Sequence, residues 1–188
     1  MALKFMCGTS ATKPITLVLL LVMLMVLQTG QALAARKVLT VPEFSQQPYD
    51  KICWATSASM IIAYFKEDTI DRDVEIAKDK YGSNFNQPAY ISDTEYYVRK
   101  YTGKAGSIQL NPLTYTAVQY QINNNGPIRT TIWWSNNSGG HAHVIKGYDT
   151  STSYVIYNDP WDSLGHGATY SYYKSNSSWS WIESLFYK

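Results

Sequence analysis

The spacing of hydrophobic positions changes along this chain, and each change predicts a different kind of element. An unbroken apolar run fills residues 15–27. After an extended entry segment over residues 35–52, Ala55, Ala58, Ile62 and Phe65 recur every three or four positions without an intervening Gly or Pro. That spacing predicts a helix over residues 53–66, with Cys53 at its start. Residues 71–81 read as a second, charged helix that stops at Gly82. Ser92-Asp93-Thr94-Glu95 has the spacing of a capping box and predicts a third helix ending before Gly103. Asn111-Pro112 places an N-cap residue before a proline and predicts a fourth helix to about residue 124. Beyond Gly126-Pro127 the pattern shortens. Segments 128–134, 141–148, 154–158, 168–174 and 179–187 are rich in β-branched and aromatic residues, separated by Gly, Asn, Asp and Ser, which predicts strands. Helices first and strands afterwards predict an α+β domain with an antiparallel sheet. No internal repeat or low-complexity tract interrupts this order.

The first apolar run belongs to a different layout. Lys4 and Lys13 precede it, and Ala32-Leu33-Ala34 follows, which is the order of a secretory signal peptide with cleavage after Ala34. The run falls short of the roughly 20 residues a spanning helix needs, so no lasting membrane anchor is expected. Residues 35–188 then form the mature chain, enough for one domain with one core. Cleavage takes Lys4 and Lys13 from a total of 16 Lys and Arg against 14 Asp and Glu, leaving the two signs balanced. A nucleic-acid partner is not expected, because neutralising phosphates needs a basic surplus.

Cysteine use changes the picture more. The chain has two cysteines, Cys7 in the leader and Cys53 in the mature part. Exported proteins usually pair their cysteines. A lone thiol outside the cell is open to oxidation, so it is either a small core residue or a reactive group.

A nucleophilic thiol gains from a helix N-terminus and from a nearby imidazole. Cys53 opens the first strong helical segment. An oxyanion formed during its attack needs donors already in place. The Cys53 backbone N–H is one, and a side-chain amide from Gln46 or Gln47 just upstream is another. His141 begins a predicted strand behind Gly139-Gly140, and the next strand leads into Asp159-Pro160-Trp161. If these two strands form a hairpin, its open end brings Asp159, or its neighbour Asn158, beside His141. The chain order is then nucleophile, base, orienting group.

These residues carry a resemblance. Gln47, five residues, then Cys53-Trp54-Ala55 comes first. Gly140-His141-Ala142 follows, with Gly147-Tyr148 six and seven positions after the histidine, and a polar residue and Trp two apart come last. Together they resemble the papain superfamily of cysteine peptidases, in its compact bacterial branch of staphopain-like enzymes, bacteriocin-leader peptidases and secreted effector peptidases. The resemblance implies a papain-like α+β fold. In it, an N-terminal helical part holds the catalytic Cys at a helix N-terminus and packs on a C-terminal antiparallel β-sheet. It implies Cys53 as nucleophile, His141 rather than His143 as base, Asp159 as orienting group and Gln47 in the oxyanion hole. Trp161 is similar to the tryptophan that shields the base and its partner. The stretch before Gln47 leaves no room for a long inhibitory prosegment, and the plant enzymes' disulfides are missing, which fits the minimal form.

The expected activity is therefore that of a secreted endopeptidase with a protein or peptide substrate, working through an acyl-thioester without metal or organic cofactor. A protein inhibitor is a natural partner for such an enzyme. The same residues would also serve a transamidase or a cell-wall peptide hydrolase. A non-catalytic, aromatic-rich binding module would leave Cys53 idle. A zinc site drawn from His141, His143 and His166 with Asp159 or Asp162 matches no common zinc spacing and gives Cys53 and Gln47 no role.

Overall fold

The computed structural model describes residues 35–187, so the leader expected over residues 1–34 lies outside the described part. Helix α1 (Cys53–Lys66) lies at the centre of the architecture. Its apolar stripe predicts one buried face, yet every residue from Trp54 to Ala63 is buried. A helix buried all round needs partners on all sides. Helices α2 (Asp73–Tyr81) and α3 (Ile91–Thr102) pack against it, and strand β4 (Gly140–Asp149) packs against it as well. Small residues (Ala55, Ser57, Ala58, Ser59 and Ala63) permit the close approach. The hydroxyls among them are all partnered, as burial requires. Ser57 Oγ donates to the Trp54 carbonyl at 2.9 Å. Thr56 Oγ1 and Ser59 Oγ donate to Asp73 and Asp71, each at 2.9 Å, and so tie α1 to the start of α2.

The remaining elements are β1 (Arg36–Val38), β2 (Gly106–Gln109), α4 (Tyr115–Asn123), β3 (Ile128–Trp134), β5 (Tyr154–Asp159), β6 (Leu164–Thr169), α5 (Tyr170–Lys174) and β7 (Trp179–Tyr187). All strand pairs are antiparallel, in the order β2-β7-β3-β4-β5-β6. Strand β1 pairs with the last residues of β4, beyond the point where β3 ends. There the backbone comes so close that a Cβ on Gly147 would lie 2.7 Å from the Lys37 carbonyl oxygen. The glycine of the Gly147-Tyr148 pair is thus a crossing point for the entry strand. This is an α+β arrangement, with most of the helices leading and five of the seven strands following.

Three expectations need correction. Helix α3 is capped two residues earlier than Ser92-x-x-Glu95 suggests. Tyr90 is the N-cap, and its N–H donates to Asp93 Oδ2 at 2.9 Å. Glu95 pairs instead with Arg99 at 3.3 Å. Helix α4 begins at Tyr115, capped by Thr114 Oγ1, which accepts from the Ala117 N–H at 3.2 Å. Asn111 is not its cap. Its carbonyl accepts from Ser184 Oγ at 2.8 Å, which holds this stretch against β7. Residues 168–174 are not one strand: β6 ends at Thr169, whose Oγ1 accepts from the Tyr172 N–H, and α5 follows. This switch turns Tyr173 into the core, where it is fully buried.

Candidate active site

Cys53 is the first residue of α1, and Ile52 before it is an N-cap that contributes no side-chain acceptor. The helix's unpaired N–H groups therefore stay available to whatever negative charge forms at Cys53. His141 is the second residue of β4 and Asp159 the last of β5. Register explains their meeting. Val144 lies opposite Asn158, so continuing the ladder by one step sets Asp159 opposite His143 and diagonal to His141. Diagonal neighbours on one sheet face are within reach of long side chains. His141 Nε2 lies 2.6 Å from Asp159 Oδ1, which leaves Nδ1 as the nitrogen for Cys53. The Cys53 thiol sits beside His141 and the Ala142 N–H, both of which favour its anion. Asp159 Oδ1 also accepts from the Trp161 N–H at 2.8 Å.

Neighbours on a strand point to opposite faces, and this separates Asn158 from Asp159. Asn158 is fully buried and donates from Nδ2 to the carbonyls of Pro42 at 3.0 Å and Val41 at 3.3 Å. It fastens the entry segment and does not touch His141.

The electrostatics form a coupled set. Burial pushes the Cys53 thiol up, but the hydrogen bond to His141, its charge, buried Arg129 and the Ala142 N–H together hold it below the ordinary value. Burial pulls His141 down, yet Asp159 and Cys53 outweigh it and raise the imidazole to about 9. Asp159 is pushed up by burial and pulled far below the carboxylate range by both histidines. A helix end contributes about 0.3–1 kcal/mol, less than the roughly 1.4 kcal/mol of a tenfold population change. The imidazole is therefore the main support for a thiolate here.

Cys53, His141 and Asp159 line one cavity of about 790 Å³. Gln87 and Pro88 form part of one wall, with Trp134 and Trp161 among the other residues facing it. Trp54 is buried and donates from its indole N–H to the Gln87 carbonyl at 2.9 Å, so the aromatic beside the cysteine fixes part of the rim. A second cavity of about 770 Å³ lies at the far end of α1 beside Tyr64 and Lys104, with no thiol or imidazole in it.

The two glutamines part company. Gln46 is 1 % exposed, its Nε2 donates to the Tyr49 carbonyl at 3.0 Å, and its backbone N–H donates to the Pro160 carbonyl at 2.7 Å. Gln47 is exposed, and its side chain makes no hydrogen bond among the described residues. Neither lines the cavity, although Asp50 and Lys51 just downstream do.

Trp161 does not shield the imidazole. It is 52 % exposed on the rim. The aromatic stacked on His141 is Trp134, with ring centroids 6.2 Å apart and planes at 20°, and Trp179 packs edge-on against it at 5.9 Å. The strand register explains it: Ile132 pairs with His141, so Trp134, two positions on, shares that face. His143 lies behind the same carboxylate. It is buried 3.4 Å from Asp159 Oδ2.

Of the residues drawn as a zinc site, His141, His143 and Asp159 come together, with donor atoms all within 4.8 Å of one another. That closeness comes from their mutual polar contacts. His166 pairs with Asp162 at 3.0 Å and stacks on Tyr157, apart from the other three.

Comparison with known proteins adds the context. Residues 35–178 match the family model described as papain-like cysteine protease AvrRpt2. No curated protein matches the chain significantly. Among solved structures, a C39-like peptidase from Bacillus anthracis superposes with a TM-score of 0.56 at 18% identity, covering 82% of this chain and 98% of that one. This likeness shows a shared fold. A looser match is UfSP from C. elegans, with a TM-score of 0.43 and 12% identity over 84% of this chain and 35% of the other.

Proposed function

The chain belongs to the papain-like cysteine protease family of AvrRpt2 and is a cysteine peptidase, and we propose that it is a secreted endopeptidase working through Cys53, His141 and Asp159. One observation carries this reading. A thiol at a helix N-terminus faces one cavity with an imidazole whose Nε2 lies 2.6 Å from a carboxylate.

The chemistry follows from the protonation states. The lowered thiol and the raised imidazole both favour a thiolate–imidazolium resting pair. Cys53 Sγ attacks the scissile carbonyl carbon, and negative charge moves onto the carbonyl oxygen. The Cys53 N–H stabilises that oxygen, and Gln47, six residues before Cys53, is the proposed second donor, its amide turning in from outside the cavity it does not line at rest. His141 Nδ1 passes its proton to the leaving amine, and the C–N bond breaks to leave a thioester. The same nitrogen then takes a proton from water, whose oxygen adds to the thioester carbonyl and expels the thiolate. Asp159 holds Nε2–H throughout, so Nδ1 stays aimed at sulfur. The substrate is a protein or peptide lying in the cavity between Pro88 and Trp134. Export through cleavage near Ala34 is supported by the leader pattern of residues 1–34.

The test is digestion of an unfolded protein by the mature chain, its Cys53→Ala variant and its His141→Ala variant, with new N-termini read by mass spectrometry. The wild type should create internal cuts, and Cys53→Ala should slow them by at least about 10⁴-fold. Cleavage that survives Cys53→Ala would overturn the assignment.

A further inference from the structure

Behind Asp159 lies a buried polar chain that the mechanism above leaves unused. His143 is 2 % exposed, and its Nε2 has no hydrogen-bond partner of good geometry. The acceptor it faces is Asp159 Oδ2, at 3.4 Å. Its Nδ1 lies 3.3 Å from the Tyr173 hydroxyl, which is itself 2.6 Å from Thr130 Oγ1. The ring cannot turn away. It stacks on Tyr157 with centroids 4.9 Å apart and meets His141 edge-on at 5.1 Å.

We infer that His143 is a positioning residue, a neutral imidazole that donates Nε2–H toward Asp159 Oδ2 and accepts the Tyr173 hydroxyl at Nδ1, fixing the carboxylate that orients His141. The inference rests on the triad reading given above.

The tautomer follows from the neighbours. A bare lone pair at Nε2 would face a carboxylate oxygen and repel it, so the proton sits there. Nδ1 is then an acceptor, and Tyr173 donates to it while accepting from Thr130. Burial presses His143 down to about 4 and the charge on His141 adds to this, so the ring stays neutral while His141 is charged.

Asp159 gains a second anchor by this arrangement. Both strong donors, His141 Nε2 and the Trp161 N–H, fall on Oδ1. A carboxylate held at one oxygen can swing about it, and His143 restrains the other. A purely structural ring would serve better as Phe, because a buried polar atom without a good partner is costly. At 3.4 Å the contact is longer than an ordinary hydrogen bond, so it steers the carboxylate without binding it tightly.

The experiment is a double-mutant cycle on the mature enzyme with a peptide substrate that it cleaves, reading kcat and KM separately. His143→Phe should lower kcat about tenfold with KM unchanged, while His143→Gln, which returns an N–H at the Nε2 position, should recover most of it. In an Asp159→Ala background His143→Phe should add less than about twofold, since its effect runs through the carboxylate. Tyr173→Phe should lower kcat by a few-fold and gives a second reading if His143→Phe folds poorly. Wild-type kcat in both His143→Phe and Tyr173→Phe would overturn the inference, as would equal losses in the Phe and Gln variants or additive losses with Asp159→Ala. If Asp159→Ala itself kept wild-type kcat, the triad reading would fail first.

Discussion

Gln46 and Gln47 differ by one position and by their surroundings. Gln46 is enclosed and already spends an amide N–H on Tyr49, while Gln47 is exposed with its side chain unengaged. An oxyanion donor has to reach a substrate, so the two substitutions should separate cleanly. Gln47→Ala should lower kcat by about 10²-fold or more with thermal stability unchanged. Gln46→Ala should lower the melting temperature and reduce kcat much less. Steady-state kinetics beside thermal melts would check this, and equal kinetic losses would mean the wrong glutamine has been assigned. At this scale the sequence spoke through spacing. It could name Gln47 from its distance to Cys53, but it could not reveal that His143 is enclosed or that Trp134 covers His141. Those facts depend on which residues lie across a sheet, and only the ladder between β3, β4 and β5 supplies them.

The β4–β5 hairpin offers a sharper contrast, because adjacent residues of β5 do unrelated work on opposite faces. Removing Asn158 strips the Val41 and Pro42 carbonyls of a buried donor. Asn158→Ala should therefore cost about 1–3 kcal/mol in denaturant unfolding, with near-normal turnover per folded molecule. Asp159→Ala should do the reverse, keeping most of the stability and lowering turnover by about a hundredfold or more. Paired denaturation and kinetic measurements decide this, and a turnover loss in Asn158→Ala equal to that in Asp159→Ala would contradict it. Elements with strong periodicity were legible: residues 53–66, 128–134 and 179–187 fold as their patterns predict. Short polar elements were not. Strand β2, Gly-Ser-Ile-Gln, has one large apolar residue and exists because β7 pairs with it. Helix α5 has five residues, too few to show a period, and follows a cap that reads equally well as part of a strand.

For the whole molecule, the order of helices and strands suffices for an α+β class, whereas the order of strands within the sheet does not follow from chain order. Strand β7 enters between β2 and β3, and β1 completes a row beyond β3. The core that results carries a charged centre, and its contribution to stability has a definite pH window. His141 is raised above its ordinary value of 6.5 to about 9, so its contribution is complete below about 6.5 and is lost as pH rises through about 9. Asp159 is lowered, so its contribution is present above the ordinary carboxylate range and is lost only in strong acid. Between those limits the fold itself favours the ion pair that the chemistry needs.

The central claim is that the molecule maintains a thiolate at Cys53 by means of His141. Its most direct measurement is the rate of iodoacetamide alkylation of Cys53 as a function of pH, in the wild type and in His141→Ala. The account predicts that the wild-type thiol titrates below its ordinary value of 9.0, and that His141→Ala moves it upward, because burial is then opposed only by Arg129 and the Ala142 N–H. A wild-type thiol titrating at or above 9.0, or a profile that His141→Ala leaves in place, would contradict it.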